Sequence, residues 1–266
     1  MTKPIVQPPA LLSFDFDGTL IDYVTRGPVH RDLVAMLARL AAHGSLWAVN
    51  TGRSIDYSLE GFSDHNLDEL PHFLIARERE IYRRHEGDWH DHGDWNARGI
   101  RAHDDLFSEA HHVLEKIRAF VASETRAQFG AQTGEHAGIV SSTEDEMAVI
   151  CEFIDQHIDA VPDLHYERNA IYLRFSHRGF TKGTSLAELA RSLDLPSENV
   201  FAIGDSFNDM TKLNRNIAGM IACPSNAVEE VKDHVRDQRG FVATRPAGEG
   251  VLEAIEHFAA EGRLII

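Results

Sequence analysis

Two aspartates, Asp15 and Asp17, stand two residues apart in Asp15-Phe16-Asp17-Gly18-Thr19-Leu20, directly behind the apolar run Ala10-Leu11-Leu12-Ser13-Phe14. Residues two apart in an extended chain project to the same side, so the pair is presented together at the end of a predicted strand. If that strand belongs to an open parallel α/β sheet, this is the end at which ligands bind, and Gly18 lets the chain turn there without a side chain in the way. Two carboxylates beside a turn of backbone N–H groups suit Mg2+ and a phosphate together. A strand that simply runs into an Asp-Gly turn accounts for the same residues without any chemistry.

Three further segments carry residues of the same kind. Val49-Asn50-Thr51-Gly52-Arg53-Ser54 sets a hydroxyl at the end of a second predicted strand, where Thr51 and nearby amides can hold phosphoryl oxygens; its plain reading is a turn with an N-cap serine. Lys182, in Gly179-Phe180-Thr181-Lys182-Gly183-Thr184, stands before a predicted helix, either as a phosphate partner or as a solvated surface lysine. In Ile203-Gly204-Asp205-Ser206-Phe207-Asn208-Asp209, two acids four apart cross from loop to helix. They can turn toward a hard cation, or they form an acidic helix cap favoured by the helix dipole, with Ser206 or Asn208 as the capping residue.

The elements that must position these residues alternate in βαβα order. Residues 10–15 predict the first strand, Val29–Ala42 a helix with Leu33, Leu37 and Leu40 on one stripe, Leu46–Asn50 a second strand, and Ser54–Glu60 the opening of another helix. Beyond the middle of the chain, Thr184–Ser192 predicts a helix, Val200–Ile203 a strand, Phe207–Leu213 a helix start, Ala218–Ile221 a strand and Ala227–Val235 a helix. Both flanks read as parts of one parallel sheet. From Arg84 to Phe175 the pattern changes. A polar stretch His85–Gly93 leads to one long helix near Asp104–Phe120, a strand at Ala137–Ser141, a helix near Glu144–Ile158, and strands near His165–Glu167 and Ala170–Phe175. That order predicts a small α+β domain inserted into the first, with boundaries 1–83, 84–177 and 178–266, and with both crossing points near the active-site edge.

The chain of 266 residues has 42 acidic and 26 basic side chains, a formal charge of −16. This balance argues against nucleic acid or an anionic membrane as partner, so an anionic substrate needs a local cationic patch or a metal. Cys151 and Cys223 are too few for a disulfide framework and read as small apolar fillers. No leader or membrane span is evident, the Pro4, Pro8, Pro9 start reads as a loose lead-in, and a reducing cytoplasm is expected. His90 and His92, among nearby carboxylates, form either a transition-metal site or part of a polar hinge or hairpin, the spacing matching no zinc motif. Trp89 and Trp95 either stack on a sugar or pack the base of the insert. His111-His112 reads as an exposed helix pair.

Taken in order, Asp15-Phe16-Asp17-Gly18-Thr19, Thr51, Lys182 and Gly204-Asp205 through Asp209 resemble the four motifs of the haloacid dehalogenase-like superfamily of phosphohydrolases. About 130 residues separate Thr51 from Lys182, whereas no room for an insert exists before Thr51. This placement resembles the type whose α+β C2 cap lies between the second and third motifs, the Cof-like, sucrose-phosphatase-like and trehalose-phosphatase-like group. The fold implied is α/β, a Rossmann-like parallel-sheet core with an inserted cap.

The resemblance implies a Mg2+-dependent phosphatase of a small phosphomonoester, a sugar phosphate foremost. Asp15 would be the nucleophile, Asp17 the general acid and then base, and Lys182 the counter-charge to both Asp15 and the phosphoryl group. Thr51, with Phe16, Asp17 and Gly52 through their backbones, would hold phosphoryl oxygens, and Asn208 would support that site. The implied metal set is Asp15, the carbonyl of Asp17, Asp205 and, directly or through water, Asp209. A phosphomutase and a non-catalytic phospholigand-binding protein remain the alternatives. Where many Cof-like relatives carry Asn-Gly, this chain has Arg77-Glu78; Arg77 or Arg79 reaches a second anionic group or lies on a salt-linked strand face.

Overall fold

The computed structural model describes residues 10–22, 24–130 and 137–266; the proline lead-in lies outside them. The chain divides into two compact units, residues 1–93 with 182–266, and residues 94–181.

The first unit is built on an eight-stranded sheet. In chain order its elements are β1 (Leu11–Phe14), α1 (Arg31–Ala42), β2 (Leu46–Asn50), α2 (Ile55–Asp64), β3 (Phe73–Ala76), β4 (Glu80–His85) and β5 (Asp88–Asp91). The second unit adds α3 (Trp95–Glu109), α4 (His111–Glu124), β6 (Gln128–Gly130), β7 (Gly138–Val140), α5 (Glu144–Asp155), β8 (Leu164–Asn169) and β9 (Tyr172–His177). The first unit then resumes with α6 (Lys182–Ser192), β10 (Val200–Ile203), β11 (Met220–Cys223), α7 (Glu229–Asp237), β12 (Phe241–Val242) and α8 (Ala247–Ala260).

The sheet order is β12-β11-β10-β1-β2-β3-β4-β5, parallel from β12 through β3 and antiparallel across the last two pairs. The central strands β1 and β10 are buried throughout and, Ser13 apart, apolar, because both faces are covered. Leu12, Phe14, Val49, Phe201 and Ile203 share one core with Leu33, Met36, Leu37 and Leu40 of α1 and Val251, Ala254, Ile255 and Phe258 of α8, the spacing expected of helix stripes facing a sheet. The register levels three strand ends: Phe14 pairs with Val49 on one side and with Ile203 on the other. The residues that follow, Asp15, Asn50 and Gly204, therefore leave the sheet side by side. Here the connections run to opposite sides of β1, the switch point at which open α/β sheets bind ligands.

The second unit carries an antiparallel sheet, β6-β7-β9-β8. Its own core joins Leu106, Val113 and Ile117 of α3 and α4, Met147, Ile150 and Ile154 of α5, and Leu164, Leu173 and Phe175 of the sheet.

Several expected elements are corrected. The units break at 93/94 and 181/182 rather than at 83/84 and 177/178, because His85–Gly93 carries β5, which pairs with β4 at the edge of the first sheet. The single long helix near Asp104–Phe120 is two helices meeting at Ala110. The helix start at Phe207–Leu213 is only one 3₁₀ turn, Phe207–Asp209, closed by a capping box between Ser206 and Asp209.

Candidate active site

Asp15 follows β1, its amide bonded to the Ile203 carbonyl at 3.1 Å. One carboxylate oxygen, Oδ1, accepts from Lys182 Nζ at 2.6 Å, and Lys182 also donates to Asp209 Oδ1 at 2.8 Å. All three residues are buried. Lys182 is the first residue of α6, and two contacts fix that helix start: Asn50 Nδ2 donates to the Lys182 carbonyl at 3.0 Å, and the Gly183 amide donates to Thr211 Oγ1 at 3.1 Å. A Cβ at Gly183 would collide with the Thr211 carbonyl, so only glycine lets α6 come this close to the segment carrying Asp209.

That segment is equally tight. A Cβ at Gly204 would strike the Asp209 carboxyl, which turns back to accept, through Oδ2, from the amides of Asp205 at 3.0 Å and Ser206 at 3.1 Å. Asp205 Oδ1 accepts from Thr19 Oγ1 at 3.1 Å. Asp15, Asp205 and Asp209 each offer a carboxylate oxygen within 4.8 Å of the others. Burial, then Asp209, pushes Asp15 up to about 6 despite the opposing ammoniums of Lys182 and Lys212. Asp205 is raised well above the ordinary carboxylate range by burial, Asp15 and Asp209. Burial raises Asp209 as well, but Lys182 and Lys212 together bring it down to about 2. Burial lowers Lys182, yet Asp15, Asp209 and Glu78 outweigh it and hold the ammonium charged.

These donors fit the implied Mg2+. All are hard carboxylate oxygens, and Asp15 and Asp205 are crowded acids whose raised proton affinities a divalent cation would offset.

Other predicted site residues are distributed around this cluster. The Asp17 carboxylate does not join the acidic cluster; it is held by Arg53, Nε to Oδ2 at 2.7 Å and Nη2 to Oδ1 at 2.6 Å. Only its carbonyl is left for the role the resemblance implies. Phe16 buries its ring against Phe62, and the Arg53 guanidinium lies 4.9 Å over it. Thr51 is buried, and its Oγ1 accepts from the Arg53 amide at 3.2 Å. Next to it, a Cβ on Gly52 would come within 3.2 Å of Glu78 Oε1. Asn208 is buried and donates to that same oxygen at 2.6 Å.

Glu78, Arg53 and Lys212 are site residues that the sequence did not single out. Glu78 sits in the β3–β4 turn, where Arg77 and Glu78 both have positive φ, 46° and 66°. Two such residues define the tight hairpin turn that favours Asn-Gly, and it aims a carboxylate inward where that pair would place none. The departure at Arg77-Glu78 was its one visible signal. Arg53 had a signal too, a lone cation one residue past Gly52. Lys212 gave none, three residues beyond Asp209 in a segment read only as a helix start.

The remaining polar candidates resolve into structure. Arg77 pairs with Glu80 at 3.1 Å, on the salt-linked strand face. His92 bonds Ser192 Oγ at 2.7 Å and sets its ring against Phe73, and His90 lies on β5 of the hairpin. Asp15, Asp205 and Asp209 form the single group among the described residues whose spacing could hold a metal ion. Trp95 packs on Phe180, centroids 4.7 Å apart. Cys151 and Cys223 are buried free thiols, and burial raises both, Cys223 to about 12.

A parallel α/β sheet whose central strand ends in a buried aspartate–lysine–aspartate chain, with an α+β unit inserted before the lysine, defines a class of hydrolase. The chain belongs to the haloacid dehalogenase-like hydrolase family, whose model matches residues 72–255, and its insertion between Thr51 and Lys182 is that of the C2-cap type. A phosphoglycolate phosphatase from Methanothrix thermoacetophila is 37% identical over 92 residues, 35% of this chain and 39% of the relative. A glucosylglycerol-phosphate synthase from Pseudomonas anguilliseptica is 27% identical across 95% of this chain and 31% of its own length. The chain thus spans less than half of either relative. The sucrose-phosphatase of Synechocystis sp. PCC6803, solved with sucrose and phosphate, superposes with a TM-score of 0.73 at 17% identity, covering 95% of this chain and 99% of that one. No helix among the described residues is long and apolar enough to cross a membrane.

Proposed function

We propose that this protein is a Mg2+-dependent phosphoric monoester hydrolase acting on a small phosphorylated metabolite, a sugar phosphate foremost. The observation that carries this reading is the chain Asp15–Lys182–Asp209, with contacts of 2.6 and 2.8 Å. It gives a buried carboxylate a fixed counter-charge and an orientation, which a nucleophile directed at a phosphate dianion requires. The kinship with phosphoglycolate and sucrose phosphatases supports it.

In this reading an Asp15 oxygen attacks phosphorus in line, forming an aspartyl phosphate as the bond to the leaving alkoxide breaks. Asp17, ionised in the Arg53 pair and able to take up a proton only on leaving it, gives that proton to the leaving oxygen, and then as carboxylate takes a proton from the water that hydrolyses the acyl phosphate, regenerating Asp15 and releasing phosphate. Arg53 keeps Asp17 oriented between steps. Lys182 balances charge on Asp15 and the transferring group, and Thr51, Gly52 and the backbone at Phe16 and Asp17 steady the equatorial oxygens, with Asn208 bracing that wall through Glu78. Asp15, the Asp17 carbonyl and Asp205 would hold Mg2+, whose charge screens the approach of two anions. Residues 94–181 act as the cap that selects the leaving group, and the two free thiols fit a cytoplasmic setting.

The test is inorganic phosphate release from a panel of sugar phosphates, phosphorylated acids and nucleotides. Wild type, Asp15→Asn and wild type with EDTA are run in parallel. Selective release that is lost in both controls is expected. Release that survives in Asp15→Asn within tenfold of wild type would overturn the assignment, and an isomerised product with little free phosphate would replace it with a mutase.

A further inference from the structure

Lys212 has no part in the reaction above, yet its side chain is fully buried among the acids of the site. Its Nζ lies 2.9 Å from Asp209 Oδ1 in an ion pair and makes no well-directed hydrogen bond. A buried ammonium is costly unless a charge balances it. Three buried carboxylates, those of Asp15, Asp205 and Asp209, share the site with two buried ammoniums, those of Lys182 and Lys212; the Asp17–Arg53 pair is neutral by itself. Fully ionised, these five groups carry one formal negative charge, and would carry two without Lys212.

The directions around Asp209 matter equally. Its Oδ1 faces both ammoniums and its Oδ2 both amides of residues 205 and 206, so that three hydrogen bonds and the Lys212 ion pair already engage both oxygens. A cation entering the pocket finds Asp15 and Asp205 available, with Asp209 already committed.

We infer that Lys212 is a resident counter-cation. It lets the acidic pocket keep its shape with no divalent ion bound, withholds Asp209 from direct ligation, and lowers the affinity of the pocket for Mg2+. The inference rests on the Mg2+ reading above and deepens it, by making metal loading a reversible step set by a residue outside the reaction.

The experiment is calorimetric titration of Mg2+ into the chelator-stripped full-length protein, with thermal melts in EDTA and in excess Mg2+. Wild type is compared with Lys212→Met, unbranched and of similar length, and with Lys212→Gln. Wild type should melt cooperatively in EDTA and gain little from Mg2+. Both variants should bind Mg2+ about tenfold more tightly or better, melt lower than wild type in EDTA, and show a larger rise on adding the ion. If Lys212→Met fails to fold even in saturating Mg2+, Lys212→Gln decides; failure of both would overturn the inference, because the ion must be able to take over the lysine's charge. Affinities within twofold of wild type in the folded variants would also overturn it, as would a wild type unfolded in EDTA, while leaving the phosphatase reading standing. No Mg2+ binding by wild type would overturn both.

Discussion

Asp209 is the residue on which most of the local electrostatics turns, although the nucleophile proposed above is Asp15. It holds two buried ammoniums and two amides at once. Asp209→Asn would leave those cations short of a charge, and breaking one partner from a buried pair costs about 3–5 kcal/mol. The melting temperature of this variant should fall well below that of Asp15→Asn, in which Lys182 keeps Asp209; equal melting temperatures would contradict this ranking. Asp15→Asn itself should stay folded and lose turnover by about a thousandfold or more, read directly from phosphate release. Cys223 gives a check independent of the site. With its thiol raised to about 12 in the fold, against an ordinary value near 9, it stays neutral at pH 8. The unfolded chain ionises first, so this group lowers stability as pH rises from about 9 toward 12. A thiol-reactive dye at pH 8 should label Cys223 only after denaturation, and rapid labelling of the native protein would show that burial does not protect it.

At the scale of elements, the turns carry the most local strain and the most testable geometry. Glu86 and Gly87 join β4 to β5 with φ of 51° and 96°. Glu86 is exposed, and its contact with His85 at 3.8 Å is weak. Glu86→Asn supplies the pair that this turn prefers and should stabilise the protein by about 0.5–1 kcal/mol in denaturant titration; a loss of stability would mean the turn is held by something other than its backbone. Gly183→Ala should do the reverse, destabilising by about 2 kcal/mol or more as its Cβ meets the Thr211 carbonyl, and lowering turnover by displacing Lys182.

These same elements show what the sequence could and could not reveal. The strands at residues 10–15, 46–50 and 200–203 were legible because apolar runs bounded by Asp, Gly and Thr leave few alternatives, and the levelled register then follows from parallel pairing. His85–Gly93 misled because a polar edge strand lacks an apolar signature, so its hairpin was assigned to the inserted domain. The break at Ala110 carries no proline or glycine to mark it. The Arg77-Glu78 departure marked the position of Glu78 but not its role, which lies in a contact 130 residues distant with Asn208, and Lys212 stayed hidden because its importance lies in burial itself.

Across the whole molecule, chemistry and insertion are kept apart in sequence. All of Asp15, Asp17, Thr51, Lys182, Asp205 and Asp209 belong to the first unit, and residues 94–181 form a contiguous unit with a core of their own. Residues 94–181 expressed alone should therefore show a cooperative thermal transition by circular dichroism. A featureless, gradual loss of signal would mean that this core depends on the remainder of the chain.

The separation of 167 residues between Asp15 and Lys182 also sets a timetable for synthesis. At about 5–20 residues per second, a ribosome that has made β1 needs roughly 8–33 s to supply the lysine. During that interval the nascent chain carries Asp15 without its lysine partner, while the inserted unit is completed and free to fold first. The parallel sheet cannot close until β10 emerges, so the slow, non-local step comes last, and a messenger cut short anywhere before residue 182 yields a product that lacks the buried lysine partner of Asp15.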